Sequence, residues 1–369
     1  MSGTIAVGST GLVYRNPAPH LRSLVAYHPS LVLGSHDEMI VTFDTGEAIE
    51  SLDYHTVLTR SRDAGATWTL EGSVLKSAPA KTSHTLRINR MSDGSLLGII
   101  AIFHREDPNA GLINRETFGF VPMDLVLIRS SDDGRTWSAL ERLDPPLVGP
   151  SWEICHPVFE LRDGRWLIPT ATWRGWNGES PSGEQTVAFI SDDRGRTWPK
   201  FGRIFDGRKI ERSRLEISIV QLDDGRVLGV AWVHDAKNCK NYPSEYAISE
   251  DNAETFSEAQ QTGFEAETCK LLALRDGRIF CAYRRADVPG LWGRVAELKG
   301  SRWVNLSEAP LWQGAASVTT SAKNSADGLS ALKFGYPSLQ QLPDGKIFLV
   351  FWCQEACITN IRWLKIQVS

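Results

Sequence analysis

Six short segments of this chain gather Arg, Glu, His and Tyr at places where strands would normally begin with apolar residues. They are Tyr27-His28-Pro29, His84-Thr85-Leu86-Arg87, Trp152-Glu153-Ile154-Cys155-His156-Pro157, Arg212-Ser213-Arg214-Leu215-Glu216, Glu267-Thr268-Cys269-Lys270 and Lys333-Phe334-Gly335-Tyr336-Pro337. A second set lies further along: residues 44–53 from Asp44 to Asp53, His104-Arg105-Glu106-Asp107, Trp173-Arg174-Gly175-Trp176, His234-Asp235, Arg284-Arg285-Ala286-Asp287 and Gln354-Glu355. A charge placed inside a sheet needs a partner or a ligand. Brought together, these groups would bind a charged or polyhydroxylated molecule; the alternative is an internal salt-bridge network. His28, His84, His104, His156 and His234 add imidazoles that exchange protons near neutral pH. No His-x-His or His-x-x-His spacing occurs to support a metal site, so none is assigned, and no cofactor is expected. Trp152, Trp173, Trp176 and Trp292 offer flat faces on which sugar rings stack.

The elements that position these residues come from a repeat. One recurring pattern is an Asp-Gly turn between apolar runs, at Asp93-Gly94, Asp163-Gly164, Asp224-Gly225, Asp276-Gly277 and Asp344-Gly345. Asp-Gly so flanked is a strong hairpin signal, because Gly accepts the positive φ of a tight turn. The other pattern is Ser-x-Asp-x-Gly-x-Thr-Trp. It stands at residues 61–68, 130–137 and 191–198, with a decayed copy at 249–256. Its Asp accepts backbone N–H groups just ahead of it, and its Trp fills the seam between sheets.

Interleaved, the two patterns give four strands per unit, with units starting near Leu24, His84, Ile154, Leu215, Glu267 and Phe334. Blade one replaces the Asp-Gly turn with Gly34-Ser35-His36-Asp37-Glu38, and the sixth unit is one strand short. The N-terminal stretch Gly11-Leu12-Val13-Tyr14-Arg15 completes it and closes the ring, removing free sheet edges. The expectation is an all-β chain: a single domain over residues 1–369, a six-bladed β-propeller of four-stranded antiparallel blades. The first strands line its axis, so both polar sets collect at one end of that axis.

Ser-x-Asp-x-Gly-x-Thr-Trp is the Asp-box, or BNR repeat, and with the Asp-Gly hairpins the chain resembles the sialidase (neuraminidase) superfamily from about residue 11 to 369. The resemblance implies a propeller whose Asp-boxes lie on the rim opposite the active face, so Asp63, Asp132 and Asp193 are read as structural. It implies a Tyr–Glu nucleophile pair, an Asp acid/base and three arginines that clamp a carboxylate. Tyr336 lies in the last blade, as the nucleophile does; Arg214 with Glu216, and Arg284, lie where the later arginines and an acid belong. Glu47, Glu50 and Asp53 occupy the loop of the acid/base. The first arginine's motif, Phe/Tyr-Arg-Ile-Pro, is matched by Ala26-Tyr27-His28-Pro29, with Tyr27 in the Arg position, so the triad is incomplete or rebuilt.

The function expected is that of an exo-acting glycosidase on a small acidic sugar or oligosaccharide. The candidate catalytic groups are Tyr336, Glu216, Glu153, Asp53 and His156. Candidate substrate-binding groups are His28, Arg87, Arg105, Arg174, Arg214, Arg284 and Trp173. A uronic-acid lyase using His156 or His28 with Tyr336, and a non-catalytic carbohydrate-binding propeller, are the alternatives.

Composition narrows the partners. A net charge of −4 over 369 residues gives no support for nucleic-acid binding, which usually shows as a basic domain or patch. No run approaches 18 apolar residues, so no membrane span is expected. The N-terminus has no basic segment followed by an apolar one, so a cytoplasmic protein is expected. The large core available to a chain this size makes free thiols the expectation for all six cysteines, with Cys353 and Cys357 the pair that could bridge across a hairpin. A small carbohydrate is the expected partner; nothing in the sequence speaks to an oligomeric state.

Overall fold

A computed structural model describes all residues except 1–2, 35–37, 210–211, 236–237, 239, 286 and 315–331. The replacement turn of blade one and Cys239 therefore fall wholly or partly outside the described residues.

The strands form six antiparallel sheets, each built by consecutive chain. Blade 1 comprises Val25–Leu33, Met39–Gly46, His55–Ser61 and Thr69–Ser73; blade 2 comprises Thr82–Arg90, Leu96–His104, Met123–Ser130 and Glu141–Arg142. In blade 3 the first strand is broken into Ser151–Glu153 and Phe159–Glu160, followed by Trp166–Trp173, Gln185–Ser191 and Lys200–Asp206. Blade 4 comprises Ser213–Gln221, Val227–Asp235, Lys240–Ser249 and Gln260–Gln261, and blade 5 comprises Glu267–Ala273, Ile279–Arg284, Leu291–Lys299 and Arg302–Trp312. Blade 6 comprises Phe334–Gln341, Ile347–Glu355 and Ile358–Val368, with Ile5–Arg15 as its outer strand. The closing strand is thus longer than the stretch read from the sequence.

The core is divided among the seams between blades. Val32, Ile40, Leu86 and Ile100 fill the seam of blades 1 and 2, and Leu97, Trp152, Ile168 and Phe189 that of blades 2 and 3. Phe43, Tyr336, Phe348 and Trp352 fill the seam where the ring closes. Each Asp-box aromatic plugs the seam before its own blade: Trp68 meets Phe348, and Trp137, Trp198 and Phe256 join the next three clusters.

The turns follow local chemistry. In the second box the Asp132 carboxylate accepts from Ser130 Oγ at 2.8 Å, Thr136 N at 2.8 Å and Thr136 Oγ1 at 2.6 Å. These bonds, the Thr136 hydroxyl first, hold its carboxyl down at about 2. Its depressed pKa means Asp132 stabilises the fold above the ordinary carboxylate range and loses that contribution as pH falls toward about 2. Asp132→Ala is expected to cost on the order of 1 kcal/mol in urea unfolding at neutral pH. The deficit should shrink in acid.

The strand alternation decides which end does what. Asp-Gly turns join first to second strands and Asp-boxes join third to fourth, so both sit at one end. The loops from second to third strands, and the entries into first strands, sit at the other.

Candidate active site

Four first strands enter that second end with the same distortion. Their ladders slip between Tyr27 and Ser30, Leu215 and Ser218, Glu267 and Lys270, and Gly335 and Ser338. Inside these bulges His28, Glu216, Thr268 and Tyr336 hold φ of 48°, 52°, 52° and 52°. A non-Gly residue in this region costs about 1–3 kcal/mol, and such bulges re-aim side chains beside functional sites. Three of these four strained positions, His28, Glu216 and Tyr336, carry side chains of the axial site described below.

The floor of the axial site is buried and fully connected. Arg87 Nε donates to Tyr336 Oη at 2.7 Å, and Arg87 Nη1 lies 3.4 Å from Asp44 Oδ2. Asp44, with no exposed surface, also accepts from Thr56 Oγ1 at 2.6 Å and Thr85 Oγ1 at 2.5 Å. Burial opposes its charge, but the bond to His28 and the Arg87 charge outweigh this and hold its carboxyl below the ordinary value. Lys270 Nζ donates to the Cys155 carbonyl at 2.6 Å and sits 4.7 Å from the centre of the Tyr336 ring. Burial pushes the Tyr336 phenol well up, while the Arg87 charge works to bring it down.

Above this floor stand half-buried groups: His28, Glu153, Cys155 and Glu216. Glu153 accepts the Glu216 backbone N–H at 2.8 Å. Enclosure, and then the charge of Glu216, push the Glu153 carboxyl up to about 8, so it keeps its proton at neutral pH. Glu216 Oε2 is buried without a hydrogen-bond partner among the described residues. An unpaired carboxylate oxygen is costly and marks a position that a ligand or reacting proton can fill. His28 packs edge-on to Tyr336, with ring centres 5.0 Å apart.

The structure thus brings together Tyr336, Glu216, Glu153, His28 and Arg87. Arg284 lies at the margin, donating to Glu267 at 2.6 Å and to the Phe334 carbonyl at 3.2 Å. Gly335 makes room for it, since a Cβ there would stand 2.5 Å from Arg284 Nη1. The remaining candidates point elsewhere. Arg214 pairs with Glu245 at 2.9 Å, and Arg174 pairs with Glu184 at 2.5 Å. Arg105 is buried among the carbonyls of Glu50, Ser51 and Ala110 and ties two loops together. Asp53 is exposed and closes its own loop through Ser51 Oγ and Glu47 N. His156 sits between the carbonyls of Pro157 and Ile219, 2.7 and 3.1 Å from its two ring nitrogens, and burial lowers its imidazole to about 4, so its single N–H donates to one of them at neutral pH. Trp173 donates to the Phe118 carbonyl and Trp152 is buried in a seam. Asn114 and Thr117 both donate to the Trp176 carbonyl, so the loops of blades 2 and 3 form a joined wall.

Asp44, Tyr54 and Lys270 are members of the site that sequence reasoning did not single out. Their signal was faint: Asp44 opens a loop segment of the second polar set, and Lys270 closes a strand entry. Among the described residues no cluster of three or more His, Cys, Asp or Glu could hold a metal. The five described cysteines are free. No helix among the described residues is long and apolar enough to cross a membrane.

Comparisons with known proteins agree with this architecture. The family model of the BNR repeat-like domain matches residues 109–349. A structure of unknown function from Dyadobacter fermentans superposes with a TM-score of 0.75 at 20% identity, covering 99% of both chains. The NanB sialidase of Streptococcus pneumoniae, as its K499G mutant, gives 0.66 at 13% identity over 96% of this chain and 70% of that one. The Trypanosoma rangeli sialidase in complex with sialic acid gives 0.61 at 15% identity over 92% of this chain, which spans 54% of that one. No curated protein matches the sequence.

Proposed function

We propose, from the premise that this chain belongs to the BNR repeat-like domain family and has a sialidase-like propeller fold, that it is a glycoside hydrolase acting on a small acidic sugar or oligosaccharide at the axial face. The observation that carries this reading is the Tyr336 phenol, held by Arg87 in a buried floor beside the Glu153–Glu216 pair. In the family this chain resembles, a Tyr–Glu pair supplies the nucleophile. Here Glu216 takes the phenolic proton as Tyr336 Oη attacks the anomeric carbon and the bond to the leaving-group oxygen breaks. Arg87 stabilises the negative oxygen as it forms. Water then displaces Tyr336, and the proton held on Glu216 returns to the phenolate. Protonated Glu153 serves as a hydrogen-bond donor to the sugar at neutral pH. Lys270, whose Nζ donates to the Cys155 carbonyl beside the Tyr336 ring, adds a positive charge that favours an acidic group on the substrate.

A second reading is β-elimination from a uronic acid, favoured by one observation. His28 and Tyr336 stand ring to ring, a base and an acid for opposite ends of the bond. One experiment separates the readings: a panel of aryl glycosides of neutral sugars, uronic acids and sialic acid, plus uronic-acid oligosaccharides. Release of a free sugar, reduced about 10²–10⁴-fold in Glu216→Gln, is the expected result. An unsaturated product absorbing in the ultraviolet supports the lyase. Silence across the panel overturns both and leaves a binding propeller.

A further inference from the structure

We infer that His28 is the group that gives the leaving-group oxygen its proton, and that Tyr54 and Asp44 are its positioning residues. The inference rests on the hydrolase reading and extends it to a group that the resemblance assigns to an aspartate. The geometry is a relay. His28 Nδ1 lies 2.9 Å from Tyr54 Oη and 3.4 Å from Asp44 Oδ2, and Tyr54 Oη donates to Asp44 Oδ2 at 3.4 Å. Because Tyr54 spends its proton on Asp44, its oxygen accepts from Nδ1–H. That fixes the tautomer and leaves Nε2 to gain or lose the working proton. Asp44 is itself fixed by Thr56, Thr85 and Arg87, so the relay is anchored in the floor and cannot swing.

The imidazole is presented rather than sequestered. Its side chain keeps 27% of its surface exposed while the Asp44 side chain keeps none. The strained bulge that turns Tyr336 and Glu216 to the axis turns His28 at the same register. By contrast the Asp53 carboxylate is spent on its own loop. The groups facing His28 are Asp44, Tyr54, Arg87, Glu216, Tyr27 and Tyr336. Burial lowers its pKa, and the bond to Asp44 opposes that fall. In the first step imidazolium Nε2–H passes its proton to the departing oxygen. In the second, neutral Nε2 accepts one from the attacking water, so atoms and charge balance over the cycle.

The test uses the glycoside turned over in the panel, once with a dinitrophenyl and once with a methyl leaving group. His28→Ala should lose about 10²–10⁴-fold in kcat/KM on the methyl glycoside and far less on the dinitrophenyl one, which leaves without a proton. Asp44→Asn and Tyr54→Phe should move the alkaline limb of the kcat/KM profile to lower pH, by about one unit for Asp44→Asn, with KM little changed. An NMR titration of the His28 ring in the intact protein reads the same coupling without substrate, and shows whether Asp44→Asn still folds. Equal losses on both leaving groups, or a His28 pKa unmoved by Asp44→Asn, overturn the assignment while leaving Tyr336 and the hydrolase reading intact. A shifted pKa in a protein that hydrolyses no glycoside overturns the hydrolase reading, and the proton-donor role with it.

Discussion

Tyr336→Phe should lower kcat/KM by at least about 10³-fold while the protein remains folded, as circular dichroism will report. Phe preserves the ring that packs against His28 and lies near Arg87 and Lys270. What disappears is one oxygen. With it goes the acceptor of Arg87 Nε, a loss of about 1–3 kcal/mol in stability for a buried charged donor. The fall should lie in kcat, because the phenol touches the reacting carbon rather than the periphery of the sugar. If Tyr336→Phe retained a tenth of the activity, Tyr336 would not be the nucleophile.

Arg87→Met should be the most destabilising single change in the site, at about 3–5 kcal/mol in urea unfolding at neutral pH. The reason is Asp44, which is left charged and buried with its guanidinium partner gone. In the native protein the Asp44 carboxyl titrates below its ordinary value, so it contributes stability above that value and loses it as acid is added. In Arg87→Met burial is opposed only by His28 and the hydroxyls, and the folded pKa rises. The penalty then grows as pH rises from the native value of Asp44 to the raised one, levels off above it, and is smallest in acid. Arg87→Met with Asp44→Asn should recover most of the loss, since no charge is left unpaired. A double variant as unstable as the single one would show that Arg87 acts through packing alone.

The turns were legible because their chemistry is local. Ser130, Asp132, Gly134 and Thr136 satisfy one another within a few residues, so their spacing alone announces the hairpin. Blade register followed from these turns, and with it the segments that carry Tyr336, Glu216, Glu153, His28 and Arg87. The side-chain direction within each segment did not follow. Arg214 stands two residues from Glu216, yet the ladder slip between Leu215 and Ser218 aims only Glu216 at the axis and sends Arg214 to Glu245. A bulge leaves no periodic mark, because it consists in breaking the period. His28-Pro29 and His156-Pro157 look alike in sequence but differ in space. The first strand of blade 3 is interrupted around His156, which turns to backbone carbonyls. Asp44, Tyr54 and Lys270 were hidden for a different reason. Their roles come from neighbours on other strands and blades, such as Thr85 and Tyr336, which only the closed ring brings near.

The central claim is that Tyr336 attacks the sugar. The most direct measurement is intact mass and peptide mapping of the protein after reaction with a fluorinated glycoside of the sugar it hydrolyses, a substrate that forms the intermediate and releases it slowly. A single glycosyl adduct on the peptide containing Tyr336, absent from Tyr336→Phe, is the result expected. An adduct on Glu216, Glu153 or Asp53, or turnover with no adduct at all, would contradict it.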